Sequence, residues 1–193
     1  MRKVRGMMEE QKQLYTKMTT LFEKANKKFL LEQVKLLESN VSERTLCGQL
    51  MLYLNDVKRE SEFKLYYVDV EYNRNFNRQI KTIFDDRENI VRINCDVILH
   101  SRGENTEQDN LIAIEMKKSE RPTEEKQKDR IRLMALTKDT FNKHIYSYDG
   151  ITLPEHVCRY ILGVYYEINI STNLINIEYY YKGKVVKQYS SYF

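Results

Sequence analysis

Glycine and proline are scarce in this chain, at 6 and 2 of 193 residues. Collagen-like and low-complexity proteins depend on these residues, so both classes are excluded, and long uninterrupted helices and strands are expected. The three cysteines, Cys47, Cys95 and Cys158, are widely spaced. Their spacing argues against a disulfide framework and against a Cys-x-x-Cys metal site, and it favours a reducing compartment. We therefore expect a cytoplasmic protein.

Long apolar runs are also missing, since no stretch approaches the roughly 18 residues of a membrane span. The basic residues Arg2 and Lys3 are followed by Glu9-Glu10-Gln11-Lys12-Gln13 rather than by an apolar segment, which argues against a signal peptide. Hydrophobic residues make up 41% of the chain, and 15 tyrosines add aromatic area for burial. This composition predicts a soluble globular protein.

The net charge is +4, but it is concentrated at one end. Residues 1–41 hold 9 Lys and Arg against 5 Asp and Glu, whereas residues 42–193 hold 23 of each. Any nucleic-acid contact in the larger part must therefore come from a local basic surface or a bound cation.

Helices are expected at the N-terminal end. Apolar residues recur at three- and four-residue steps from about residue 7, which predicts a long amphipathic helix. Cap-forming residues at 39–42 end it, and a second helix is expected over about 43–58. The first helix either pairs with a second copy, forming a homodimer, or packs on its own core, the interpretation we favour. We divide the chain into an N-terminal helical extension, 1–41, and a second domain, 42–193.

The periodicity then changes from helix to strand. Strands are expected over 63–72, 91–99, 111–116, 160–168, 174–181 and 185–189. A helix over 123–136 follows Pro122, and Lys182-Gly183 marks a hairpin turn. This order predicts an α/β fold in which helices flank a mixed central sheet, with the long N-terminal helix added.

Glu115 and Lys117 lie two residues apart in a predicted strand, so their side chains share one face. They end the apolar segment Leu111-Ile112-Ala113-Ile114, where a charged pair would be costly to bury without a purpose. A solvated ion pair is the alternative, because acid-x-base triplets arise by chance in a chain this rich in charge.

Two further acids are expected near this pair. If the polar turn 101–110 folds symmetrically, Asp96 stands opposite Glu115 on the neighbouring strand. Adjacent carboxylates repel, and Mg²⁺ (or Mn²⁺) would neutralise them. Glu43 lies three residues before Leu46, on the inward face of its helix, although its role there could be limited to the helix dipole. Acids and one lysine around a metal ion are suited to phosphodiester hydrolysis.

Four motifs in this order resemble small stand-alone prokaryotic members of the PD-(D/E)XK nuclease superfamily. They are Ser42-Glu43-Arg44, Glu71-Tyr72-Asn73-Arg74, Ile114-Glu115-Met116-Lys117-Lys118-Ser119 and Asp129…Arg132-Leu133, within about residues 42–180. The resemblance implies a restriction-endonuclease-like fold. It also implies a metal-dependent endonuclease that acts on nucleic acid, and of DNA and RNA we favour DNA.

The resemblance also implies roles for single residues. Asp96 and Glu115 would bind Mg²⁺ or Mn²⁺. Lys117 would assist the attacking water, and Glu43 would complete the site as a further metal ligand. Cys95 departs from the superfamily, whose name-giving proline precedes the aspartate.

Two basic residues are candidates for substrate binding. Arg74 could contact a phosphate or belong to a network that anchors the helix. Lys118 could reach a backbone phosphate or pair within the protein, which we favour. Four basic residues of the next helix are expected to form a solvated face: Lys126, Lys128, Arg130 and Arg132. A catalytically inactive domain of the same fold, binding nucleic acid or protein, is the alternative to an enzyme.

Overall fold

The computed structural model describes residues 2–74, 82–84, 90–92, 94–105, 107–139 and 158–193. Its helices are α1 (Arg2–Glu32), α2 (Val34–Glu38), α3 (Glu43–Arg59) and α4 (Thr123–Leu136). Its strands are β1 (Tyr67–Val70), β2 (Thr82–Phe84), β3 (Ile90–Arg92), β4 (Val97–His100), β5 (Asn110–Lys118), β6 (Leu162–Asn169), β7 (Leu174–Tyr181) and β8 (Lys184–Tyr192).

Six strands form one mixed sheet in the order β1-β4-β5-β6-β7-β8. β5 and β6 run parallel, whereas the other neighbours in this sheet are antiparallel. A parallel pair needs a long crossover connection, and α4 lies within it. β2 and β3 form a separate antiparallel pair. The predicted α/β class with a mixed sheet is confirmed, and none of the described helices is long and apolar enough to cross a membrane.

Helices cover both faces of the sheet, so most of β5 is buried. On one face, Met116 packs into the core shared with α1 and α3. On the opposite face, Ala113 packs with Leu133 of α4. Side chains alternate along a strand, so Glu115 and Lys117 lie on the face of Ala113. Two ionisable groups therefore lie between the sheet and α4.

The apolar stripe of α1 is buried inside the chain. Four of its side chains have no exposed surface: Met18, Phe22, Ala25 and Phe29. They belong to the core that α3 and the sheet also line, and burying such an aromatic or aliphatic side chain contributes about 1.5–3 kcal/mol. Tyr179 and Tyr189 further donate hydrogen bonds to Glu23 at 2.6 and 2.8 Å. The helix packs on its own core, and this stripe is not available for a homodimer.

The predicted break between the helices is confirmed, although α1 ends earlier than expected, at Glu32. The short helix α2 follows, and α3 begins at Glu43. Ser42 caps α3, because its side chain accepts a hydrogen bond from the Thr45 N–H at 3.2 Å. The cap satisfies a backbone donor that the first turn leaves unpaired.

The hairpin of β4 and β5 has the register that symmetric folding of its turn predicts. The paired residues are Val97 and Ile114, Ile98 and Ala113, and Leu99 and Ile112. The register shifts by one residue only at the turn, where His100 pairs with Asn110. The shift lies at the far end of the hairpin from Asp96 and Glu115.

Two predicted strands are shorter in the structure. β1 begins at Tyr67 rather than at residue 63, because a turn closed by the Tyr66 N–H and the Phe63 carbonyl, 2.9 Å apart, precedes it. The strand predicted over 91–99 is divided between β3 and β4. β4 begins only after Asp96. At this point the Met116 N–H of β5 donates to the Asp96 side chain instead of to a backbone carbonyl.

Candidate active site

Asp96 and Glu115 meet where β4 begins and β5 nears its end. Continuing the Val97–Ile114 register by one residue sets Asp96 opposite Glu115. Cross-strand neighbours of this kind have Cβ atoms about 4.5–5.5 Å apart. The Met116 N–H donates to Asp96 Oδ2 at 2.8 Å and fixes that carboxylate against β5. The structure thus brings together the two acids that the sequence analysis proposed as metal ligands.

Burial changes the ionisation of both carboxylates. The Glu115 side chain is 1% exposed, and this burial is the main reason that its pKa rises to about 8. Arg132 opposes the rise, whereas the charge of Asp96 adds to it. The pKa of Asp96 is also raised, by burial, against the opposing effects of the Met116 N–H and of Lys117. A cation near the pair would relieve both effects.

Lys117 lies between two further acids. Its Nζ is 3.1 Å from Asp129 Oδ2 and 3.9 Å from Glu43 Oε2. Burial alone would lower the pKa of Lys117, but the negative charges of Asp129, Asp96 and Glu43 outweigh it, and the pKa is raised. Lys117 is therefore held as an ammonium ion at the end of β5.

Glu43 joins the start of α3 to the end of β5. Its Oε1 accepts hydrogen bonds from the Lys118 N–H at 3.0 Å and from Arg121 Nε at 3.1 Å. The side chain is only 16% exposed, and its second oxygen is the one nearest Lys117. The structure thus places Glu43 in the same cluster as the other three predicted residues, in addition to its favourable position in the first helical turn.

Two residues of α4 complete the cluster, and the sequence analysis gave them no role in the site. Arg132 Nη1 lies 2.7 Å from Glu115 Oε1 and 3.1 Å from Asp129 Oδ1. Asp129 is 4% exposed and lies between Lys117 and Arg132. One signal could have found it, because Asp129 is four residues before Leu133 and seven before Leu136, both of which are buried.

The expected solvated face of α4 is wrong for three of its four basic residues. They are paired with acids of the sheet: Lys126 with Glu167, Arg130 with Glu178, and Arg132 with Glu115. Lys128 alone of the four is exposed. Helical spacing placed these cations in two stripes, but it could not show that acids of β5, β6 and β7 lie opposite members of both stripes.

Lys118 pairs within the protein, which is the alternative that the sequence analysis favoured. Its Nζ donates to Asn40 Oδ1 at 2.6 Å and lies 3.2 Å from the Asn40 carbonyl oxygen. Asn40 has a positive φ of 53°, in the turn between α2 and α3. The contact therefore ties this turn to the end of β5.

Arg74 is exposed beyond the end of β1 and has no ion-pair partner in the part of the chain that the structure describes. The neighbouring Glu71 does belong to a network that anchors the helix. Arg44 of α3 binds both Glu71 carboxylate oxygens, with donor–acceptor distances of 2.6 to 2.9 Å. Two of the sequence motifs, one from α3 and one following β1, are thereby joined.

Each of the three predicted acidic ligands has one carboxylate oxygen that accepts a hydrogen bond. The other carboxylate oxygen accepts none from a donor in the described residues. The held atoms are Asp96 Oδ2, Glu115 Oε1 and Glu43 Oε1. No three His, Cys, Asp or Glu side chains among the described residues are arranged to hold a metal ion together. Mg²⁺ needs only one or two protein carboxylates, because it keeps several waters. Asp96 and Glu115, with one available oxygen each, fit that requirement.

Comparisons with models of known protein families, with curated proteins and with solved structures find no match for this chain.

Proposed function

We propose that this chain is a divalent-metal-dependent nuclease that hydrolyses phosphodiester bonds of nucleic acid, with a restriction-endonuclease-like core. One observation carries the proposal. Asp96 directly precedes β4 and, by continuation of the strand register, lies opposite Glu115, and a protonated Lys117 lies on the same strand as Glu115. Glu43 reaches the cluster from α3. Glu43 is far from the other three residues in sequence. A purely structural ion pair would not require two carboxylates side by side.

Each residue has a defined part in this proposal. A bound Mg²⁺ or Mn²⁺ would activate water and offset charge on the phosphate. Asp96 and Glu115 would hold the cation through the oxygens that no described donor occupies, with Glu43 as the candidate third ligand. Lys117 would direct its ammonium group at the attacking water or at the phosphate oxygen on which negative charge develops. Asp129 keeps that ammonium group in place.

Local charge limits how the chain can contact a nucleic-acid substrate. The net charge of +4 resides in residues 1–41, so long-range attraction to nucleic acid is weak around the site. Contacts to phosphates would then depend on single cations, and the exposed Arg74 is the candidate beside β1. We propose that the substrate is DNA, and RNA serves as the comparison substrate in the cleavage assay.

A cleavage assay tests this proposal. Wild type, Glu115→Ala and Lys117→Ala would be incubated with labelled single- and double-stranded DNA and RNA, in Mg²⁺, Mn²⁺ or EDTA. We expect metal-dependent cleavage by wild type and a loss of about 100-fold or more in both variants. Glu107→Ala and Lys128→Ala remove an exposed acid and an exposed base elsewhere, and we expect them to cleave like wild type.

Two results would contradict the proposal. One is the absence of cleavage by folded wild type on every substrate, and the other is cleavage that survives both site substitutions. Binding of nucleic acid that is equal with and without Mg²⁺, in the absence of cleavage, would instead support a catalytically inactive binding domain of this fold.

A further inference from the structure

Arg132 contacts the buried acid of the candidate site from a separate element. Its guanidinium reaches Glu115 Oε1 from α4 at 2.7 Å. Among the described residues, no other side chain donates a hydrogen bond to Glu115. Glu115 Oε1 is thus occupied, and Glu115 Oε2 is the oxygen left for a ligand.

We propose that Arg132 is a positioning residue, which holds Glu115 Oε1 so that Glu115 Oε2 is presented to the divalent cation. The inference rests on the proposed function and extends its site to α4. Carboxylates that bind metal ions are commonly oriented by a hydrogen bond to their other oxygen, and loss of that bond weakens metal binding.

The chemistry of the pair suits this role. Glu115 is almost fully buried, and a buried carboxylate without a partner is strongly disfavoured. An arginine cannot lose its proton in a protein, so Arg132 supplies a permanent positive charge. Its planar guanidinium also fixes direction, which a lysine ammonium group does less well.

Asp129 holds Arg132 in place. The two residues are three apart on α4, with Arg132 Nη1 3.1 Å from Asp129 Oδ1. The other oxygen of Asp129 lies 3.1 Å from Lys117 Nζ. One buried aspartate thus positions both the arginine that holds Glu115 and the lysine assigned to the reaction.

Arg130 provides a matched control on the same helix. It binds Glu178 with donor–acceptor distances of 2.9 to 3.1 Å, and its guanidinium lies 3.9 Å from the centre of the Tyr165 ring. Arg130 and Arg132 are similarly exposed, at 26% and 28%. Substituting either residue removes one paired arginine from α4, but only Arg132 contacts a proposed metal ligand.

The test measures Mn²⁺ affinity by titration calorimetry, so it does not depend on cleavage. It compares wild type with Arg132→Gln, Arg132→Lys and Arg130→Gln, and thermal unfolding in EDTA reports whether each variant is folded. We expect Arg132→Gln to weaken Mn²⁺ binding about 10- to 100-fold. Arg132→Lys should restore part of the loss, and Arg130→Gln should bind like wild type.

Several outcomes would overturn the inference. Mn²⁺ binding by folded Arg132→Gln that equals or exceeds wild type would show that Arg132 is a bystander or a competitor of the cation. An equal loss in Arg130→Gln would assign the effect to the packing of α4. If Arg132→Gln does not fold, Arg132→Lys provides the test. Wild-type Mn²⁺ affinity in folded Arg132→Lys would contradict the positioning role, because a lysine ammonium group fixes the direction of the Glu115 carboxylate less well.

The Mn²⁺ titration and the cleavage assay together distinguish failure of the positioning role from failure of the nuclease proposal. A folded wild type that binds no Mn²⁺ would contradict both of them. Mn²⁺ binding that depends on Arg132, without cleavage of any nucleic acid, would support the positioning role and contradict the nuclease alone.

Discussion

At the scale of single residues, the candidate site is a row of alternating acidic and basic side chains. Its members in order are Glu43, Lys117, Asp129, Arg132 and Glu115. Consecutive members are 2.7 to 3.9 Å apart. Each side chain contacts its neighbours in the row, so substitutions within the row are expected to be non-additive.

Glu115 gives the chain a pH-dependent stability. Its pKa of about 8 in the folded protein exceeds the ordinary value of 4.5, so the folded state binds this proton more tightly than the unfolded state. The contribution of Glu115 to stability is therefore complete below about pH 4.5 and is lost as the pH rises through 8. We expect Glu115→Gln to gain stability over wild type by a few kcal/mol between pH 5 and pH 9.

Chemical denaturation in EDTA at pH 5, 7 and 9 measures this difference. Glu107→Gln is the control, because Glu107 is exposed and its replacement should not change the pH profile. A difference between wild type and Glu115→Gln that stays constant from pH 5 to pH 9 would contradict the prediction.

The proposed site residues were accessible to sequence reasoning to different degrees. Asp96 and Glu115 could be placed together because the register of a hairpin depends on a local turn. Arg132 could not be assigned to Glu115, since this contact depends on how α4 is rotated against the sheet. Because α4 is rich in basic residues, Arg132 was predicted to belong to a solvated face, and that prediction is wrong.

At the scale of secondary structure, the start of α3 positions Glu43. Ser42 caps the helix through the Thr45 N–H, and its Oγ also lies 2.9 Å from Thr45 Oγ1. We expect Ser42→Ala to reduce the free energy of unfolding by about 1 kcal/mol, because the cap is lost. Ser42→Asp should keep most of the stability, since aspartate is also a good N-cap. Equal stability of wild type and Ser42→Ala in urea denaturation would contradict this role.

Local patterns predicted several elements well and others poorly. The bounds of α4 and β7 match the structure, because a proline precedes α4 and a Lys-Gly turn follows β7. The strand predicted over 91–99 was divided, and its second part begins only after Asp96, whose side chain accepts the N–H of Met116. Periodicity describes where apolar residues recur, but it does not show which backbone groups find a partner.

At the scale of the whole molecule, α1 completes the core on one face of the sheet. A chain that begins at Ser39 would lack the buried side chains of Met18, Phe22 and Phe29. We expect this chain to lose cooperative unfolding, because a large apolar surface of the sheet and of α3 would be exposed. Circular dichroism on heating and size-exclusion chromatography measure the effect.

A chain that begins at Glu9 is the matched control. It keeps the whole buried stripe of α1, and we expect it to unfold cooperatively like the full chain. Cooperative unfolding of the chain that begins at Ser39 would contradict the prediction and show that residues 42–193 fold by themselves.

Sequence patterns were sufficient to predict the order of most elements, the α/β class and the register of the β4–β5 hairpin. They also predicted that Glu43, Asp96, Glu115 and Lys117 lie near one another. All of these depend on short-range spacing, on turn length or on residue chemistry. Only the folded structure shows that Arg132 contacts Glu115 and that three of the four cations of α4 are paired with acids of the sheet. Those contacts depend on the rotation of a helix against a sheet, which is set by packing between residues distant in sequence.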